Sequence, residues 1–293
     1  MDKDSLIELI CRNVDRLTDF DSDNYRYIPL HQKPSPSVKA VAQIMEVLKK
    51  ILFPGFFGPL DEALPASAKV YAEGYLLKVF ELLLEQIDNS LCFESEYDNT
   101  REQASALAVE FINKLADIKA LLSTDAQAIF EGDPAASSLS EVIFCYPGFK
   151  AILHQRVAHE LYRMCVPILP RMITEMAHTE TGIDIHPGAE IGKFFSIDHG
   201  TGIVIGQTTI IGDHVRLYQG VTLGAKRLYL NENGIPMNIP RHPIIKDNVT
   251  IYSNTSVLGR ITIGENSVIG GNIWITNSVE PNSHIRQPKA VNE

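Results

Sequence analysis

The sequence predicts an α+β chain, with a helical N-terminal half followed by a parallel β-helix of hexapeptide repeats and a short tail. Two observations carry that expectation. Up to about residue 180, apolar residues recur at three- and four-residue spacings, as on the buried face of an amphipathic helix. Beyond it, thirteen aliphatic residues recur every six positions in three phased sets. A period of six suits neither a helix nor a lone strand. It suits stacked three-sided coils, each of three hexapeptides that turn one aliphatic residue inward per face.

The elements follow in order. Met1-Asp2-Lys3-Asp4 leads into a short amphipathic segment, without the cationic start and apolar run of a leader. The Pro-Ser-Pro-Ser run at 34–37 stops the chain before a helix over 38–52, and the Pro- and Gly-rich stretch 54–59 breaks it again. A helix is expected over 71–87, burying Leu76, Leu77, Phe80, Leu83, Leu84 and Ile87. Another is expected over 104–122 on Leu107, Phe111, Leu115 and Ile118, and a third over 148–164. The first aliphatic set is Ile185, Ile191 and Ile197, and the second is Ile205, Ile211, Leu217 and Leu223. The third runs Ile245, Ile251, Val257, Ile263, Ile269 and Ile275. Glycines such as Gly206, Gly212 and Gly264 follow inward aliphatics, where glycine is expected to relieve the backbone of a sharp corner. The domains are therefore read as 1–180 helical, 181–280 β-helix and 281–293 tail.

The phase breaks are more informative than the repeats. From Ile197 to Ile205 the gap is eight, so two extra residues sit around Asp198-His199-Gly200-Thr201-Gly202. From Leu223 to Ile245 it is 22, read as 18 plus four, with a loop leaving the stack over 225–240. A stack needs neither irregularity for stability, and irregular backbone on a rigid scaffold is a usual place for function. Both breaks lie beside histidines.

Composition narrows the class. The net charge of −10 argues against a nucleic-acid partner. Apolar runs are interrupted by charge, so no membrane span is expected. Four scattered cysteines without metal spacing suit a reduced, cytoplasmic protein.

Several runs carry a resemblance. Asp184-Ile185-His186-Pro187 is followed by Asp198-His199-Gly200-Thr201-Gly202-Ile203-Val204-Ile205-Gly206 and Val221-Thr222-Leu223-Gly224. Arg241-His242-Pro243 and Val257-Leu258-Gly259 continue the order. Over roughly 130–276 the chain resembles the serine acetyltransferases. The resemblance implies a left-handed parallel β-helix behind a helical domain, assembled as a homotrimer or a dimer of trimers with sites between neighbours. It implies transfer of acetyl from acetyl-CoA, the co-substrate, to the hydroxyl of L-serine, giving O-acetylserine and CoA in the first step of cysteine biosynthesis from serine. No metal is expected.

The resemblance also assigns roles. His199 is the general base and Asp184 its orienter. Arg241 and His242 meet the serine carboxylate, and Asp133 and Asp198 its ammonium. Gly224, Ala225 and Lys226 lie along CoA. Serine's hydroxyl is a poor nucleophile until a base takes its proton, a guanidinium suits a carboxylate through two parallel hydrogen bonds, and an aspartate on the far ring nitrogen fixes a histidine's tautomer. Pro134 after Asp133 also suits a turn or a helix start. His186 is expected to order a corner, His214 to face solvent, and His154 and His159 to be surface residues of a helix.

Some positions depart from the family pattern. Ala225 replaces a second glycine, and Gln207 stands where relatives often carry a glutamate that buttresses the arginine. The C-terminal run 285–289 lacks the usual small-residue pattern. The chain closes on Glu293 rather than isoleucine, so a tight complex with O-acetylserine sulfhydrylase through the tail is not expected, because an unpaired acidic side chain is costly to bury. Another hexapeptide acyltransferase with a different acceptor is the alternative; Arg241 with Asp198 favours a zwitterion over a sugar. A γ-type metalloenzyme is more distant, since His199 and His242 lack an obvious third zinc ligand.

Overall fold

In the computed structural model, described over residues 2–19, 34–59, 61, 64–94 and 100–287, seven helices precede a β-solenoid. Glu293, on which the docking expectation falls, lies outside the described residues. The chain divides into Met1–Pro34 and Ser35–Glu293. The first unit holds α1 (Lys3–Leu17), N-capped by Asp2, whose carboxylate accepts from the Ser5 amide at 2.8 Å.

The second unit begins with α2 (Val38–Leu52). Ser37 caps its start, Lys49 and Lys50 complement the dipole of its last turn, and Val41, Ile44, Met45, Leu48 and Leu52 form its buried stripe. The next two helices are longer than the periodicity suggests: α3 spans Pro65–Glu94 and α4 spans Arg101–Gly132. The core side of α3 is centred on Val79, Leu83 and Ile87, whereas Leu77 is exposed. Paired leucines at 76–77 and 83–84 blur the phase that packing against α2 and α4 decides. Short α5 (Leu139–Cys145) leads to α6 (Pro147–Arg163), whose proline occupies the first turn, where its missing N–H costs nothing. Then α7 (Leu169–Thr181) ends on Gly182 in the left-handed region.

Fourteen short strands follow. The first sheet stacks β1 (Asp184–Ile185), β4 (Val204–Ile205), β7 (Thr222–Gly224), β10 (Ser256–Leu258) and β13 (Trp274–Ile275). The second stacks β2 (Glu190–Ile191), β5 (Ile210–Ile211), β8 (Ile244–Ile245) and β11 (Thr262–Ile263). The third stacks β3 (Ser196–Asp198), β6 (Arg216–Tyr218), β9 (Thr250–Ile251), β12 (Val268–Ile269) and β14 (His284–Ile285). All pairs are parallel, each between neighbouring coils. This is the left-handed parallel β-helix of hexapeptide repeats. Its core is three columns, such as Ile185, Ile205, Leu223, Val257 and Ile275, all buried.

The register corrects two expectations. Ile245 pairs with Ile211 on the second sheet, so the 22-residue gap is one hexapeptide plus a sixteen-residue excursion, 225–240. It is not a full coil plus four. The glycines after inward aliphatics do not supply positive φ either. A Cβ on Gly212 would strike Asp247 on the next coil, so these sites need close approach. The left-handed backbone falls on other corner residues, including His214, Asn248, Asn266 and Asn282.

Helices α4 and α6 are fastened to the first coil by a buried pair. Asp125 of α4 and Arg156 of α6 meet at 3.1 Å. Arg156 also donates to the carbonyls of Ile191 and Gly192, and Asp125 accepts from the Phe195 amide. Every charge-bearing atom is thereby given a partner, as burial of an ion pair requires. Burial dominates the Asp125 pKa and pushes it up, against the opposing pull of Arg156.

Candidate active site

The candidate residues fall into two groups at opposite edges of the first sheet. His199 lies in the β3–β4 connection, where the chain enters that sheet, and Arg241 and His242 lie in the β7–β8 connection, where it leaves. At the entering edge, His199 lies in the connection lengthened by two residues and has a left-handed backbone, φ 55°. Its side chain is 72% exposed and its Nε2 lies 3.8 Å from Asp198 Oδ1. Asp198 ends β3.

Asp133 comes to the same edge from the helical half. It is the C-cap of α4 and opens the expected turn, its carbonyl accepting from the Ala136 amide at 3.0 Å. Its Oδ1 accepts from the Ala135 amide at 2.8 Å and its Oδ2 from the Tyr146 hydroxyl at 2.7 Å. Those bonds hold its pKa below the usual carboxylate value, and the same bond pushes Tyr146 up to about 12. A small pocket here is lined by Gly132, Asp133, Tyr146, Asp198 and Arg216 among others.

At the leaving edge, Arg241 Nη2 donates to Gln207 Oε1 at 3.1 Å, and Gln207 Nε2 donates to the Tyr162 hydroxyl at 3.0 Å. Gln207 thus supplies the acceptor expected of it, without a charge. Thr208 organises the neighbouring turn: its Oγ1 accepts from the amides of Arg241 and His242. Its amide donates to His242 Nδ1 at 3.1 Å. A ring nitrogen that accepts is unprotonated, so the His242 proton sits on Nε2. Burial first, then Arg241 and Arg260, lower the His242 pKa to about 4, so the ring is neutral near pH 7. Gly206 is required beneath it, because a Cβ there would overlap the imidazole. Arg260 closes the turn by donating to the carbonyls of Thr208 and His242.

Gly224, Ala225 and Lys226 lie at this same edge, one coil along from Gly206. The Gly224 carbonyl accepts from the Gly259 amide, and Lys226 is exposed against Gly259. Asp184 lies on the outer side of β1. Within the chain its ion contact is with Arg171, 3.8 Å away, rather than with His199.

The remaining histidines divide. His186 Nδ1 accepts from the Gly188 amide at 2.9 Å and orders its corner. His214 is exposed, with its ring stacked on Phe194 at 4.4 Å. His154 is buried, 2% exposed, and so is not the surface residue expected. Among the described residues, Glu175, His178 and Asp184 bring three metal-type ligand atoms within 4.8 Å. Arg171 already lies 2.5 Å from Glu175, a charge that a cation would have to displace.

Tyr146, Thr208, Arg216 and Arg260 escaped the sequence reading. Only Arg216 left a signal: a long cation in a repeat slot that holds small hydroxyl residues, Ser196 and Thr250, on adjacent coils.

Residues 242–277 match the family model described as bacterial transferase hexapeptide (six repeats). The chain is 47% identical over 264 residues to the plasmid serine acetyltransferase of Synechococcus elongatus, covering 87% of this chain and 82% of that protein. It is 45% identical over 159 residues to the serine acetyltransferase of Bacillus subtilis, covering 54% of this chain and 70% of that one. Among solved structures, serine acetyltransferase 1 of Entamoeba histolytica in complex with L-cysteine superposes with a TM-score of 0.74 at 36% identity, over 87% of this chain and 88% of that one. The Neisseria gonorrhoeae serine acetyltransferase in complex with serine gives 0.55 at 26% identity, over 85% and 97%. No described helix is long and apolar enough to cross a membrane.

Proposed function

The chain belongs to the serine acetyltransferase family, and we propose that it performs that family's reaction with a site completed between copies. It transfers the acetyl group of acetyl-CoA to the hydroxyl of L-serine, giving O-acetylserine and CoA, the first step from serine to cysteine. The observation that carries the two-copy reading is the division of candidate residues between opposite edges of one sheet. Three copies around an axis would set the entering edge of each solenoid against the leaving edge of the next, the closed heterologous contact of a ring.

In that assembly Asp133 and Asp198 receive the serine ammonium. Arg241 and the Nε2–H of His242 receive its carboxylate, with a bidentate guanidinium setting the orientation. His199 takes the hydroxyl proton as the oxygen forms the ester bond and the thioester C–S bond breaks, then returns that proton to the departing sulfur. Such base assistance is typically worth about 10²–10⁴-fold, and holding both substrates together adds to it. Asp184 turns from Arg171 to orient His199. Gly224, Ala225 and Lys226, beside the carboxylate residues, flank the pantetheine arm and phosphates of CoA. The four free cysteines suit a cytoplasmic enzyme.

Thiol release from acetyl-CoA, measured against serine, homoserine and a sugar acceptor, tests the reading. Turnover that is fastest with serine supports it. Equal or faster turnover with a sugar overturns the assignment of the two charge clusters.

A further inference from the structure

The two carboxylates proposed to bind one ammonium come from different parts of the fold. Asp198 is fixed in β3, but Asp133 hangs on the C-terminal end of α4. Something must hold that helix end in register with the solenoid. Among the described residues, the hydrogen bond that joins the last turn of α4 to the strands is made by Arg216. Its Nη1 donates to the Gly132 carbonyl at 3.0 Å, and its Nε reaches Ser196 Oγ at 3.4 Å. Arg216 stands in β6 directly beside Ser196 of β3, two residues before Asp198. A cation on the free carbonyls of a helix C-terminus is favoured by the helix dipole as well as by the hydrogen bond.

Gly132 is shaped to this contact. A Cβ at Gly132 would fall within the Arg216 guanidinium, so any other residue expels it. The next residue, Asp133, is held from the other side by Tyr146, which begins the turn into α6. Arg216 fixes where the helix ends, and Tyr146 fixes which way the carboxylate points.

We infer that Arg216 and Tyr146 are positioning residues for the acceptor amino acid, setting the Asp133 carboxylate against Asp198 so that both meet one ammonium. The inference rests on the reading of Asp133 and Asp198 as the ammonium site. It makes Arg216 a determinant of serine binding that acts by placing Asp133 and does not touch the substrate.

The test compares Arg216→Ala, Gly132→Ala, Tyr146→Phe and Asp133→Asn in the full-length enzyme, with separate KM values for serine and acetyl-CoA and a melting temperature for each. Gly132→Ala is the informative variant. It displaces only the far end of a flexible side chain, so it keeps the fold and the Asp133 carboxylate itself while removing the tether that aims it. Arg216→Ala, Gly132→Ala and Tyr146→Phe are each expected to raise the serine KM about fivefold or more, the scale of a weakened charged hydrogen bond. The acetyl-CoA KM should stay within about twofold. Combining Gly132→Ala with Arg216→Ala should add nothing, because both remove one interaction. Arg216→Lys should recover part of the loss. The inference is overturned if Asp133→Asn raises the serine KM while the Arg216 and Gly132 variants do not, or if those variants lose both substrates equally with a lowered melting temperature. No effect from Asp133→Asn, or no serine-dependent thiol release by the unaltered enzyme, would instead bring down the reading of the site and this inference with it.

Discussion

His199 holds a backbone conformation that side chains other than Gly and Asn adopt at a cost. At the same edge, the left-handed corner residues of successive coils are Gly202, Gly220, Asn254 and Asn272. His214 shares that conformation at an ordinary corner, so it is the two inserted residues that set His199 apart. His199→Asn keeps a residue tolerant of the backbone and removes the base, which makes it the clean variant. Both it and His199→Ala are expected to lower kcat by at least about 10²-fold; near-normal turnover in either would remove His199 from the mechanism. Asp184→Asn should lower kcat with little change in the acetyl-CoA KM. At the opposite edge, Arg241→Lys keeps the charge but loses the fork, and its partner Gln207 loses a donor. The serine KM should rise far more than the acetyl-CoA KM. Equal losses would point instead to a CoA contact. These residues were legible in the sequence through the runs that carry the family resemblance, and each type suits the role that resemblance implies. Their grouping was not: a 15-residue separation between Asp184 and His199 says little about contact when one side chain leaves a strand and the other a corner.

At the scale of elements, α4 and α6 dock on the first coil through the Asp125–Arg156 pair, and α6 buries His154. Burial dominates the His154 pKa and lowers it to about 4; the hydrogen bond between Nδ1 and the Lys150 carbonyl opposes it, the Lys49 and Lys150 charges push the same way as burial, and Glu46 of α2 opposes them. Unfolding returns the ring to its ordinary value near 6.5. The unfolded chain therefore binds the proton first, so the contribution is present above pH 6.5 and is lost as pH falls towards 4. A shift of that size corresponds to about 3 kcal/mol. His186 and His242 are shifted in the same direction. Melting temperature should fall between pH 6.5 and 4, and His154→Leu should flatten that fall; an unchanged slope would refute the assignment. The inward columns of the solenoid were legible because every sixth residue has one environment. The loop length was not, since a period of six is equally satisfied by one hexapeptide or by three, and only strand pairing tells them apart. The face of α3 was blurred for a related reason, because paired leucines satisfy two helical phases.

For the molecule as a whole, sites divided between copies make a distinctive expectation. A His199→Asn chain and an Arg241→Ala chain, each nearly inactive alone, should recover activity when unfolded together and reassembled. Random mixing in equal amounts leaves about one junction in four with both edges intact, so about a quarter of the parent rate is expected. Recovery no greater than the sum of the two separate preparations would place a complete site within one chain. The 225–240 excursion has a consequence of another kind. It departs from and rejoins the stack at a single corner, so the coils before and after it keep their pairing whatever its length. For a loop without structure of its own, doubling the length costs only about 0.6 kcal/mol in closure entropy. Its length is therefore nearly neutral for folding, while its far end is anchored at Arg241. Insertions and deletions here are expected to alter the approach to Arg241, and with it the proposed amino-acid site, without first passing through an unstable protein.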